Sequence, residues 1–415
     1  MDRRKGGQNR YSALPARDME LVQQSHLQQR FELAPRSFLA ETVRAETNEA
    51  LEKQQDSNAQ RIKPGELLIE HDGKPLGVPL LSTRWSQELA AGFSPAAVRS
   101  HLEYEQLQVL LEADEEATIE DLWTWTNQKQ LVRKRGGKDF LPEKPLNVNE
   151  LEAFPRPKGE ISLPDSFLEP IISKLNKEHG CKPALARAMV QCAAQTHNWC
   201  CPRIQELQPG QVVWLVYSTQ STKRGAKRLL VPVILTLITS DEISQPLTDH
   251  GDLKALKLKQ IERISAEAWQ QDGVLTMLDL EWLLNVNGAF LRKLLTAYQE
   301  HFGVILPTAG TVLDMGRTLT HKTIVVEMAL EGMSTKQIAE RIFHTAEAVD
   351  NYLRLFDRIL VLKYYGLPLN LIRQVTGHST ALLKEHIEIA DKHFPRQSDL
   401  TAYLYDRGVD IEKAQ

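Results

Sequence analysis

The chain has 415 residues, 42% of them hydrophobic and 25% charged, with a formal net charge of −4. That length leaves room for roughly two to four compact units, each able to bury a core. The near balance of charge excludes a globally basic nucleic-acid coat, so any nucleic-acid footprint is local. No apolar run approaches the roughly 20 residues of a membrane helix. The opening MDRRKGGQNR is polar with no apolar stretch behind it, which is not the pattern of a secretory leader. A cytoplasmic protein without membrane contact is expected.

Residues 1–20 read as a polar tail and 21–141 as an N-terminal α+β unit. Residues 142–165, PEKPLNVNELEAFPRPKGEISLPD, lack periodicity and are punctuated by prolines, as linkers are. An α+β core over 166–273 follows. It opens with helical pattern around 175–194 and continues with two β-branched apolar runs of strand length, 209–219 and 229–238. Between the runs lie Lys223, Arg224, Lys227 and Arg228 around Gly225, a basic hairpin loop. Pro232 within the second run marks an edge strand or a bulge, because proline cannot donate to a ladder. The cysteines Cys181, Cys192, Cys200 and Cys201 fall near His179 and His197. With no CxxC pair and two adjacent cysteines, their spacing suits a tetrahedral metal poorly. No metal or cofactor is expected.

The two halves echo each other. Leu39-Ala40, Lys63-Pro64-Gly65-Glu66-Leu67-Leu68, Val78-Pro79-Leu80-Leu81 and Thr118-Ile119-Glu120-Asp121-Leu122 recur in order. Their counterparts are Leu185-Ala186, Gln208-Pro209-Gly210-Gln211-Val212-Val213, Val231-Pro232-Val233-Ile234 and Thr276-Met277-Leu278-Asp279-Leu280. We read 21–138 as a degenerate duplicate of 169–287, with a shorter hairpin and no basic loop.

Three helix-turn-helix patterns follow. In the region 274–319, Thr276 caps a first helix with Asp279 at the capping-box position, and Asn285-Val286-Asn287 supplies a turn. The second helix carries Leu291, Leu294, Leu295 and Tyr298 inward with Arg292 and Lys293 outward; 304–312 can form a short wing. The region 320–415 reads as a tandem. Lys322 to Leu330 make an amphipathic helix ending near Gly332. Ser334 and Gln337 form the next capping box, Phe343-His344-Thr345 the turn, and Val349, Leu353 and Phe356 the inner face of a second helix. Its open face carries Glu347, Asp350, Asn351, Arg354 and Arg358, where a recognition helix meets the major groove. Glu347, Asp350 and Asp357 nearly cancel Arg354 and Arg358, which weakens electrostatic pull. An ordinary helical hairpin has the same spacing. The third pattern turns at Gly377-His378-Ser379.

From about Leu175 to Phe394 the chain resembles the prokaryotic "domain of unknown function 1670" family. The resemblance rests on LQPGQVVWLVYST, RLLVPVILTL, GVLTMLDLEWLL, GRTLTHK, EGMSTKQIAERI and VTGHS, in that order. The central pattern IAERIFxxxxxVxNYL is similar to LuxR-type and sigma-region-four helix-turn-helices. The resemblance implies helix-turn-helix content and DNA association, with no established enzymatic activity. Phe343 stands where a glycine is more usual, and Asn287-Gly288-Ala289 replaces a Ser-x-x-Thr-like helix entry.

No Walker loop, GxGxxG or nucleophile elbow appears, and the acidic stretch 103–121 reads as a solvated helix face. A GHS box at His378 also occurs in tyrosine recombinases. Here Ile387 holds the tyrosine's place and no HxxR partner is present, so the nucleophile and its activators are missing.

The fold class expected is mainly α with a small α+β core and multiple helix-turn-helix units. The function expected is sequence-specific double-stranded DNA binding, in a transcriptional regulator or a mobile-element accessory protein. Asn351 and Arg354 would read bases, while Lys223, Arg224, Lys227, Arg228, Arg292, Lys293, Lys336 and Arg358 would hold phosphates. A protein-interaction scaffold is the alternative. A nuclease or transposase, with Asp241, Asp279 and Asp314 as nominal acids, is the third class. Oligomeric state stays open.

Overall fold

The computed structural model describes residues 18–34, 37–54, 60–126, 140–145, 163–221, 229–245, 247–313, 321–344 and 346–409. The chain divides into two compact units, Met1–Leu294 and Leu295–Gln415. It is mainly helical, with one small antiparallel sheet in the first unit. Among the described residues no helix is long and apolar enough to cross a membrane. Most of the tail and of the Pro-rich linker lie outside the described residues, as do the cations at 222–228.

The first unit opens with α1 (Met19–Arg30) and α2 (Phe38–Gln54), then β1 (Glu66–His71), β2 (Lys74–Pro79), α3 (Thr83–Ala91), α4 (Pro95–Ala113) and α5 (Ile119–Thr126). Helices α6 (Asp165–His179) and α7 (Pro183–Cys200) lead to β3 (Gln211–Ser218) and β4 (Leu230–Thr236). Then come α8 (Ser240–Ser244), α9 (His250–Gln270), β5 (Gly273–Val274), α10 (Met277–Leu283) and α11 (Gly288–Phe302), the last running on into the second unit. The helical pattern expected over 175–194 is the end of α6 and most of α7. Gly180 ends α6 in the left-handed region at φ 62°, and Pro183 opens α7, the usual stop and start residues of consecutive helices. The tail stops sooner than expected: Asp18 caps α1, accepting from the Glu20 amide at 2.9 Å.

Strand order is β2-β1-β3-β4, with β5 pairing β3 on the side away from β4. The β1–β2 hairpin closes on Asp72-Gly73, both with positive φ, as the twist of a two-residue hairpin requires. β3 runs through the core, and its Trp214 is fully buried. Leu27, Val43, Phe167, Ile171, Leu175 and Met189 join α1, α2, α6 and α7 in one apolar cluster.

β4 is the outer strand that Pro232 calls for, and its free edge is closed by side chains of and just beyond α9. Gln271 accepts from the Ile234 amide at 2.9 Å and donates to the Ile234 carbonyl at 2.8 Å. Glu267 accepts from the Thr236 amide at 2.7 Å, and Arg263 donates to the Thr236 carbonyl at 2.8 Å. These three residues lie four apart, on one helix face, and Pro232 contributes no outward N–H. A strand edge left open invites pairing with another chain. Gln271→Ala strips both Ile234 groups of their buried partner, and the expected loss is about 2 kcal/mol. The urea midpoint of tryptophan fluorescence reads it.

Candidate nucleic-acid interface

The second unit contains α12 (Ala309–Val312), α13 (His321–Leu330), α14 (Thr335–Ile342), α15 (Ala346–Tyr364), α16 (Leu369–Thr376), α17 (Thr380–His393) and α18 (Gln397–Asp406). Its core gathers Val325 and Val326 of α13, Ile338 and Ile342 of α14, and Val349 and Phe356 of α15. Three helices around a shared core are what a helix-turn-helix needs to stand by itself.

Local chemistry sets the bend. Ser334 and Gln337 form a reciprocal box: the Ser334 amide donates to Gln337 Oε1 at 2.9 Å, and the Gln337 amide to Ser334 Oγ at 3.3 Å. α14 stops at Phe343, in the left-handed region at φ 56°, ψ 40°. The next amide, that of His344, bonds back to the Ala339 carbonyl at 3.0 Å. A non-glycine residue there carries about 1 kcal/mol of strain, so the turn is held by packing on both sides. Either His344 or Thr345 can cap α15, and Thr345 lies outside the described residues.

Val349, Leu353 and Phe356 are buried, while Glu347, Asp350, Asn351, Arg354 and Arg358 are exposed. Asn351, Arg354 and Arg358 follow one another on a single face of α15, and Arg354 Nη2 donates to Asn351 Oδ1 at 2.7 Å. Lys336 is exposed on α14. Two acids on α15 are engaged elsewhere. Asp350 accepts from the Thr335 hydroxyl at 3.1 Å. Asp357 is held by Arg407 of the segment after α18, Nη2 to Oδ2 at 3.1 Å, and by Tyr403 at 3.4 Å. Burial pushes the Asp357 carboxyl above its usual range, with Arg407 pulling the other way. Asp350 keeps its charge, and with Asp357 paired to Arg407 the exposed Glu347 and Asp350 still balance Arg354 and Arg358. The cancellation expected along this helix stands. Arg407 was missed because nothing local links residues fifty positions apart.

In the α10–α11 pair, Thr276 and Asp279 form the expected box, and Asn285 makes the turn at φ 52°. Asn287 Oδ1 accepts from the Phe290 amide at 2.9 Å. A Cβ on Gly288 would meet Glu281 Oε1 at 2.3 Å, the movable end of a side chain. Arg292 and Lys293 are exposed. They belong to the first unit, and Lys336, Asn351, Arg354 and Arg358 to the second. No wing follows. The segment 304–312 contains no strand; Ile305 and Leu306 are buried, and Thr308 with Thr311 caps α12. The Thr311 hydroxyl donates to the Leu306 carbonyl at 3.1 Å, and such local bonding curls the backbone instead of leaving it to pair. The third pattern has Gly377 at φ 70° and Ser379 capping α17.

Two of the three nominal acids are described. Asp279 is fully buried and committed, accepting from Trp214 Nε1 at 2.9 Å and from the Thr276 hydroxyl at 2.7 Å. Asp241 is exposed on α8, and Asp314 lies outside the described residues. The four cysteines are buried free thiols, and burial raises their pKa values, Cys201 to about 12. Among the described residues no three His, Cys, Asp or Glu side chains are grouped to hold a metal.

Residues 175–389 match the family model described as "Protein of unknown function (DUF1670)". The chain belongs to that family. No curated protein and no solved structure matches it. The matched span of this DUF1670 member takes in the β3–β4 hairpin, α10–α11 and the α13–α15 unit, and leaves out α1 to α5.

Proposed function

We propose that this protein binds double-stranded DNA in a sequence-specific manner through α14, the Phe343 turn and α15. It would act from the cytoplasm as a transcriptional regulator or as an accessory protein of a mobile element. The observation that carries the proposal is the outer face of α15: Asn351, Arg354 and Arg358 exposed in succession on a helix anchored by Val349, Leu353 and Phe356. Asparagine pairs with adenine and arginine with guanine at major-groove edges, and the layout is similar to LuxR-type and sigma-region-four units. Arg358 and Lys336 suit phosphate oxygens, as do Arg292, Lys293 and the four cations of 222–228. The β1–β2 hairpin makes the same kind of connection with two residues, so folding does not demand the basic insertion. A titration of duplex DNA at several salt concentrations tests the proposal. Affinity is expected to fall by orders of magnitude between 50 and 200 mM salt if six or more phosphates are neutralised. Absent binding at low salt, or affinity indifferent to salt, refutes it.

A docking role has one observation in its favour. Leu371 and Val375, one turn apart on α16, are 42% and 65% exposed. If docking is the whole function, replacing Asn351 and Arg354 by alanine leaves partner capture intact and there is no DNA affinity to lose.

A further inference from the structure

The first unit is built from two similar series of elements. α1, α2, β1, β2, α3, α4 and α5 are followed by α6, α7, β3, β4, α8, α9 and α10 in the same order, with β5 added before α10. Local bonds recur at matching positions. The Lys63 amide donates to Glu66 Oε2 at 2.7 Å, as the Gln208 amide does to Gln211 Oε1 at 2.8 Å. Gly65 has φ 87° and Gly210 φ 89°, and a Cβ on either would lie 2.0 Å from a carbonyl oxygen, that of Leu81 or Ile238. Gln106 donates to the Pro79 carbonyl, and Arg263 to that of Thr236. The structure thus matches Pro79 to Thr236 and Pro75 to Pro232, and the pairing of the two Val-Pro steps read from the sequence is out of register. Thr118 is bound by Asp121, and Thr276 by Asp279.

The bonds across the seam are reciprocal. The Gly65 amide donates to Val213 at 2.7 Å and the Gly210 amide to Leu68 at 2.7 Å; Gly65 matches Gly210, and Leu68 matches Val213. The Ile62 amide donates to Pro202 at 3.0 Å and the Ile204 amide to Gln60 at 3.1 Å. Leu67 pairs with Val212, its own counterpart. A contact in which each side offers the same groups to the other is the mark of a two-fold, isologous interface.

We infer that residues 19–126 are a divergent copy of 165–283, and that the edge of β3 around Val212 is a homotypic docking surface whose partner is another copy of the same repeat. In this chain the first copy fills it. The two outer edges cannot serve: β2 carries Pro75 and Pro79, and β4 carries Pro232 with its outward groups taken by Gln271, Glu267 and Arg263. Around Leu67 and Val212 each repeat has a strand edge that the other repeat closes, and an edge of that kind left uncovered pairs with another strand. The family match takes in most of the second copy and not the first, so a family member built on one repeat would complete its sheet with a second chain. The inference rests on the fold alone and survives failure of the DNA reading.

The test begins with the full chain carrying a protease site within 146–162, cut under native conditions. The two fragments are expected to stay together as a one-to-one pair. The pair is then partly unfolded in urea, returned to buffer and weighed by native mass spectrometry. A homotypic surface yields a species of two C-terminal fragments beside the one-to-one pair. Fragments that separate on cutting, or a C-terminal fragment that returns solely as a monomer or solely with the N-terminal one, overturn the inference. Leu67→Pro in the uncut chain gives an independent reading. Losing the first copy's strand should convert a 47.1 kDa chain into a species of twice that mass, and adding Val212→Pro should abolish that species. A Leu67→Pro chain that keeps its original mass contradicts the proposal.

Discussion

Gly210→Ala is expected to destabilise the first unit by at least about 3 kcal/mol, from left-handed strain added to a clash that packing cannot absorb. The residue sits at φ 89°, and its new Cβ would lie 2.0 Å from the Ile238 carbonyl oxygen, a backbone atom with no rotamer to move away. Its amide also donates across the sheet to Leu68, so any shift that relieves the clash disturbs the seam. Gly180→Ala is the control. That glycine has φ 62° with open space where a Cβ would go, and the cost should be about 1 kcal/mol. The measurement is clean because all seven tryptophans precede Leu294, so fluorescence during urea unfolding follows the first unit alone. Equal losses at Gly180 and Gly210 would show that close approach to Ile238 is not what the glycine serves.

Asn351→Ala and Arg354→Ala should each weaken specific DNA binding by about 1–3 kcal/mol, or roughly 5- to 150-fold, and relax preference at one base pair. Neither change should disturb the fold, because both side chains are exposed and their mutual bond of 2.7 Å lies at the surface. The two are coupled by that bond, so the double variant is expected to lose less than the sum of the single losses. Arg358→Ala and Lys336→Ala should behave differently. Phosphate contacts carry no sequence information, so affinity should drop evenly across sequences and the salt slope should shrink by about one for each.

What was legible in the sequence was local. The capping boxes at Ser334 and Thr276, the edge position of Pro232 and the inward faces of α14 and α15 each follow from residues within a few turns of one another. The echo between the halves was visible for the same reason, since Gly65 and Gly210 occupy the same short-range turn. The rest depends on distance. Arg407 shielding Asp357, Gln271 closing the β4 edge and Trp214 claiming the Asp279 carboxylate join positions brought together only by tertiary packing. No strand forms over 304–306, and Thr308 and Thr311 satisfy the backbone locally.

Photo-crosslinking from position 351 tests the central claim most directly. A photo-reactive amino acid placed there in the full chain is mixed with duplex DNA at low salt and irradiated. Covalent DNA adducts that fade as salt rises are expected from 351, and none from the same group at Glu388, an exposed position on α17. DNA that binds while leaving 351 unlabelled would contradict it.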